Sequence, residues 1–199
     1  MDMPPLFSSS KIAQEQMRWT QEWHLSDVVV PDEDTFIRLV GENHARNFKL
    51  WHEEDLARRD DLGAEAIRDA KRAIDRYNQQ RNDFIEQMDR ALVEVIKPLT
   101  EGVPFNSETP GMMIDRMSIL ALKDFHMQEQ VDRQDATPEH RASCLNKLNV
   151  IRRQRADLAN CLKDLLDQVR EGSRSFRVYF QFKMYNDPSL NPQLYAGRR

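Results

Sequence analysis

The 199-residue chain reads as all-α: an antiparallel bundle of four long helices, folded as two helical hairpins, with a short N-terminal helix and a C-terminal helix plus extended tail. Apolar residues recur every three or four positions over stretches longer than an ordinary globular helix, the mark of one buried face. Helix breakers gather between those stretches. Two of them, Thr109-Pro110 and Thr137-Pro138, pair a capping hydroxyl with a proline at the first helical position. Short turns between long helices make sequence neighbours pack side by side.

Residues 1–9 read as a loose tail and 10–199 as a single helical domain. Ser10 caps a short amphipathic helix with Ile12, Gln16, Trp19 and Trp23 on one side, and Pro31 breaks the chain after it. Asp32, Asp34 or Thr35 starts the first long helix, which runs to about Arg59. Asp61 to Gly63 make the turn, with Gly63 supplying the left-handed residue. The second long helix runs from Ala64 to Lys97, where Pro98 and Gly102 stop it. The third spans Thr109-Pro110 to about Arg133, and the fourth spans Thr137-Pro138 to Glu171, closed by Gly172. Phe176 to Tyr185 fits both periodicities; a lone strand has no partner for its backbone groups, so a helix is expected. Asn186-Asp187-Pro188 and Asn191-Pro192 make a turn-rich tail.

Composition narrows the function. A net charge of −4 with 31% charged residues argues against a nucleic-acid binder, and the Arg152, Arg153, Arg155 cluster reads as a solvated helix face. The longest apolar runs, Val28 to Val30 and Ile119 to Leu122, are far too short to span a membrane, and the polar N-terminus is no secretory signal, so a cytoplasmic location is expected. Cys144 and Cys161 lie 17 residues apart on one helix, about 25 Å, beyond disulfide reach.

Sliding the chain by 74 residues aligns the two hairpins without a gap. Trp51-His52 meets Phe125-His126, Arg59 meets Arg133, and Gln80-Arg81-x-Asp83 meets Gln154-Arg155-x-Asp157. Between Thr35 and Pro98 there are 11 identities in 64 positions, against roughly four by chance. A duplicated hairpin brings its paired residues together near a two-fold axis; the alternative is coincidence among Arg-, Gln- and Asp-rich helices.

Polar residues interrupt the inward stripes. Asn43, Asn47 and Glu54 fall on the inner line of the first long helix, Asn78 and Arg81 on that of the second, and Arg155 on that of the fourth. A guanidinium taken from water needs a carboxylate or a bound anion, and Glu54, Asp83, Asp115 and Glu108 are the candidate counter-ions. Such a network fixes helix register, or it lines a ligand pocket between helices, or its arginines snorkel outward.

Metal chemistry is tested by spacing. Neither His52 nor His126 completes the Glu-x-x-His of a di-iron bundle, and no His-Glu-x-x-His occurs, so no metal site is expected and each histidine reads as a surface or satisfied interior residue. Magnesium stays open as a cofactor through Glu53, Glu54 and Asp55 with Asp83, Glu86 and Asp89, a faint likeness to all-α nucleotide pyrophosphohydrolases of which only Glu86-x-x-Asp89 is present. No glycine-rich phosphate loop or nucleophile triad is present.

Several strings together resemble an uncharacterised bacterial helical family of the DUF 4254 type: Leu50-Trp51-His52-Glu53-Glu54-Asp55-Leu56-Ala57-Arg58, Ile74 to Asp83, Asn106-Ser107-Glu108-Thr109-Pro110-Gly111, Ile114 to Lys123, Gln154 to Leu158, and Lys183 to Pro188. The resemblance covers nearly the whole chain from Asn43 onward, with Met117 in place of an expected Leu. It implies a stand-alone helical protein and carries no activity with it.

Three functions follow from these residues. The first is a small-molecule site for an anionic or phosphate-bearing ligand, with Arg81, Arg155 and Lys123 on the anion. In it Glu54, Asp83 and Asp115 orient those cations or hold magnesium, and Asn78 and Asn43 add neutral hydrogen bonds. The second is a non-catalytic interaction protein whose Trp19, Trp23 and Phe176 to Tyr185 form a homodimer or partner surface. The third is a magnesium-dependent nucleotide hydrolase.

Overall fold

The computed structural model describes residues 8–32, 35–179 and 188–195. The loose tail at 1–7, the cap at Asp34 and the segment 180–187 lie outside the described residues. Helix α1 spans Ser9–Trp23, α2 Thr35–Leu56, α3 Gly63–Ile96, α4 Pro110–Asp132 and α5 Pro138–Arg170, and a one-turn α6 spans Pro192–Tyr195. The fold is all-α, as expected. Among the described residues no helix is long and apolar enough to cross a membrane.

The capping chemistry acts where the sequence placed it in α4 and α5. Thr109 Oγ1 accepts from Met112 N at 3.3 Å and Thr137 Oγ1 from His140 N at 3.2 Å, each followed by its proline. Gly172 ends α5 at φ 70°, with Ser173 N–H reaching Gln168 O at 3.0 Å and Gly172 N–H reaching Val169 O at 3.2 Å, which satisfies the last carbonyls. Two boundaries differ from expectation. Ser8 rather than Ser10 caps α1, and Gly63 has φ 82° with ψ 163°, a conformation open to glycine but outside the left-handed helical well.

The Phe176 to Tyr185 helix is not formed at its start. Ser175–Phe176 is strand β2, paired in parallel with strand β1, Phe105–Asn106, in the register Phe105 to Ser175 and Asn106 to Phe176. The missing strand partner was hidden in the loop between α3 and α4. Ser175 N–H donates to Pro104 O at 3.0 Å and its hydroxyl to Leu99 O at 2.5 Å. Phe176 thereby enters the core at 3% exposure, and Trp19 and Trp23 are buried at 1% and 5%, so these three side chains are core rather than a free partner surface.

Helix α4 is the centre. It packs on α1, α2, α3 and α5, while α2 pairs with α3 and α5 with α1. Its buried residues, among them Met113, Ile114, Met117, Ser118, Ala121, Leu122 and Asp124, fill a broad arc of the helix, while Arg116 and Lys123 are exposed on the opposite side. The closest approach is at its start, where a Cβ on Gly111 would lie 2.6 Å from Ile85 O and 2.8 Å from Asp89 Oδ1. There the buried Asp89 of α3 accepts from Gly111 N–H at 2.7 Å and from the Thr109 hydroxyl at 2.5 Å, capping α4 from a neighbouring helix.

Two outcomes follow from this joint. Gly111→Ala must separate α3 from α4 and is expected to cost about 1–3 kcal/mol in denaturant unfolding. Burial raises the Asp89 carboxyl to about 6, with its two hydrogen bonds opposing. A folded-state value above the unfolded one adds stability in acid that is lost as pH rises through about 6. The stability of the wild type relative to Asp89→Asn is therefore expected to grow as pH falls from about 6 toward the ordinary 3.8. A flat difference across that window in thermal unfolding would refute the assignment.

Candidate functional site

The polar residues of the inner stripes assemble into one directed chain. Thr20 Oγ1 donates to Gln16 O at 2.7 Å, so its oxygen accepts from His44 Nε2 at 3.0 Å. His44 Nδ1 is left to accept the Ser118 hydroxyl at 2.7 Å, and Ser118 Oγ accepts from Asn47 Nδ2 at 3.0 Å. Asn47 Nδ2 and Asn43 Nδ2 then donate to the same oxygen, Asp115 Oδ1, at 2.9 and 3.0 Å. Thr20, Asn43, His44 and Ser118 are fully buried, with Asn47 and Asp115 nearly so. Burial, assisted by the Arg155 charge, pushes His44 down to about 3, so the ring is the neutral one-donor, one-acceptor species that the chain requires. His44 is a satisfied interior histidine.

Arg81 approaches the end of this chain without completing it. Its Nε lies 3.6 Å from Asp115 Oδ1, buried and without a hydrogen-bond partner. Asp115 Oδ1 is already occupied by two amides. Arg81 lines a cavity of about 360 Å3 together with Asn47, Trp51, Glu54, Asp55 and Asn78. Of the residues expected at a site, the fold thus brings together Arg81, Asn78, Asn43, Glu54 and Asp115.

The others go elsewhere. Arg155 turns toward α1: its Nη2 donates to Ala13 O at 2.5 Å and its Nη1 stands 3.6 Å from Asp124 Oδ2. Arg152 Nε reaches the same carboxylate at 3.1 Å, and although Arg152 and Arg153 are exposed as a solvated face, Arg155 is turned inward and two of the three clustered arginines serve a buried aspartate. Asp83 is exposed and accepts from Gln79 at 2.8 Å, which removes it as a counter-ion. Glu108 pairs with Arg116 at 2.6 Å, and Glu54, at the rim, pairs with Arg58 at 2.6 Å. Lys123 is exposed beside a second cavity of about 870 Å3, also lined by Trp51, Asp55, His126, Glu129, Lys147 and Gln154.

The expectation that each histidine stands alone is corrected. One ring nitrogen from each of His24, His52 and His126 lies within 4.8 Å of the other two. The rings come from the end of α1, from α2 and from α4, so no spacing rule within one helix registers them. Trp51 stacks on His126 with centroids 4.5 Å apart, and Phe125 stacks on His24 at 3.8 Å. These are the dipeptides that the 74-residue offset pairs. Burial lowers the pKa of His24 and, helped by the neighbouring imidazoles, that of His52, which keeps both neutral.

These features define an all-α protein with a buried polar junction, two clefts beside Trp51 and a histidine cluster at the helix ends. Residues 37–178, more than half of the chain, match the family described as Protein of unknown function (DUF4254), and the chain belongs to that family. No curated protein and no solved structure gives a significant match.

The junction makes a prediction of its own. Asp115→Ala strands the Asn43 and Asn47 amide donors and leaves Arg81 without its carboxylate, a change expected to cost about 3 kcal/mol or more in chemical denaturation. A loss within about 0.5 kcal/mol, the size of an ordinary surface substitution, would show that the chain contributes nothing to stability.

Proposed function

We propose that this protein binds a small molecule bearing a carboxylate or phosphate group in the cavity between α2, α3 and α4, with Arg81 on the anion. The observation that carries this reading is the half-buried guanidinium whose buried Nε makes no hydrogen bond and stands 3.6 Å from Asp115 Oδ1, an oxygen that already accepts two amides. Its side chain lines a cavity together with Asn78 and Asn47. A guanidinium offers a planar fork that fits a carboxylate or phosphate with two parallel bonds, and partial removal from water strengthens them. Glu54 and Asp55 on the same wall suit a hydroxyl or amine on the ligand, or magnesium bridging to a phosphate. The volume of about 360 Å3 fits a metabolite rather than a polymer.

Differential scanning fluorimetry with inorganic phosphate, sugar phosphates, nucleotides and small carboxylates, each with and without magnesium, tests it. A true ligand at a hundredfold excess over its Kd stabilises by about 2.7 kcal/mol. That shift is expected to vanish in Arg81→Gln and to persist in Asp83→Asn, whose carboxylate is outside the cavity. Failure of every anion to exceed sodium chloride at equal ionic strength would overturn the reading.

A further inference from the structure

We propose that His24, His52 and His126 form a binding site for a divalent first-row transition ion, with zinc the reference metal. Hydrogen-bond accounting carries this. His24 Nδ1–H donates to Thr20 O at 2.6 Å, and His126 Nδ1–H donates to Glu129 Oε2 at 2.8 Å. Each bond fixes the tautomer whose Nε2 bears the lone pair, and both Nε2 atoms are buried with no hydrogen-bond partner. A backbone carbonyl or a carboxylate behind the imidazole is the usual support of a metal-ligating histidine. Buried nitrogens left without a partner are uncommon in native proteins and call for an explanation.

The neighbouring rings hold the ligands by their faces and leave their edges open. His24 lies between Phe48, edge-on at 4.8 Å, and Phe125, stacked at 3.8 Å, and Trp51 covers one face of His126. The three imidazoles stand steeply to one another, at 67°, 72° and 79°, so they do not stack together. A purely structural aromatic cluster gains nothing from two fixed tautomers with vacant nitrogens.

The spacing requires one small adjustment. Bonds of about 2.0–2.1 Å in a tetrahedron place ligand nitrogens about 3.4 Å apart, against a present limit of 4.8 Å. His52 is the ring free to close that gap, since among the described residues it makes no hydrogen bond. Imidazole nitrogens suit zinc, cobalt, nickel and copper rather than magnesium or calcium. Three protein ligands leave a coordination position, and His126 and Glu129 also line the cavity of about 870 Å3, from which water or a small ligand has access.

The test uses the full chain, free of any polyhistidine tag and stripped with chelator. Equilibrium dialysis against zinc is expected to give one tight equivalent per chain, and cobalt(II) to give visible d–d bands of low-coordinate geometry with quenching of Trp51 fluorescence. His52→Phe, which keeps the ring contact with Phe48, is expected to weaken zinc at least 100-fold. Glu129 acts through His126 as a positioning residue: Glu129→Ala is expected to weaken zinc about 10- to 100-fold, with partial recovery in Glu129→Gln. Glu129 is exposed, so its variants report even if His52→Phe does not fold. His140→Ala, which removes the separate contact with Cys144 at 3.4 Å, is expected to leave the tight equivalent unchanged. Arg81→Gln is expected to leave zinc binding intact, which separates this site from the anion cavity. Less than one equivalent, or an equivalent indifferent to the Glu129 and His52 substitutions, overturns the proposal.

Discussion

The fold depends on one buried carboxylate. Asp115 sits on α4, receives two amides from α2, faces a guanidinium from α3, and is linked through Asn47, Ser118 and His44 to Thr20 of α1. Apolar stripes tolerate a slide of one helical turn, about 5.4 Å, because one leucine replaces another. A chain of directed hydrogen bonds between four helices does not. Each group was taken out of water, and any shift strands several of them together, so the polar chain selects one alignment of four helices from those that the stripes allow. The same arrangement leaves Arg81 Nε 3.6 Å from an Asp115 oxygen that already accepts two amides, with its side chain on the wall of a cavity.

The offset of 74 residues leaves a visible trace. Both hairpin turns carry the same two-pronged pair, Arg59 on Asp61 at 2.6 and 2.7 Å and Arg133 on Asp135 at 2.8 and 3.1 Å. Trp51-His52 and Phe125-His126 meet at the histidine cluster. The correspondence fails at the arginines. Arg81 and Arg155 both reach α4, but for Asp115 and Asp124, whose counterparts at that offset are Gly41 and Leu50. Gly41 has no room for a carboxylate, since a Cβ there would lie 2.9 Å from Val30. The two arginines therefore serve different carboxylates, and Arg155 is turned to α1 while Arg81 lines the cavity.

Helix positions and capping were legible in the sequence because threonine-proline pairs and glycine stops act locally. The site was half legible. Helical spacing found Asn43, Asn78 and Arg81, buried or half-buried on the face they occupy, and the need of Arg81 for a counter-ion named Asp115. Asp83, named as a counter-ion, is exposed instead, Asp89, named as a magnesium ligand, caps α4, and Asp124 was overlooked, because a carboxylate in a helix carries no local sign that another helix supplies its partner. Asp124 had one readable cue: it follows Met117 and Ala121 at helical spacing on the buried face of α4, so an acid there has little water to face. Strand β2 was misread as helix for a similar reason, its partner lying 70 residues earlier in the chain.

The histidines show why accounting for each hydrogen bond outranks residue type. His44 and His24 are neutral rings from adjoining helices, lying in one aromatic cluster around Trp23 and Phe48. On His44 both nitrogens are used, one donating to Thr20 and one accepting from Ser118, and the ring has nothing left to offer. On His24 and His126 one nitrogen is anchored and the other is buried with no partner. Packing alone would treat the three rings alike. Their difference lies in the unused lone pairs, which burial makes costly unless something binds there, and that cost separates a structural histidine from a candidate ligand.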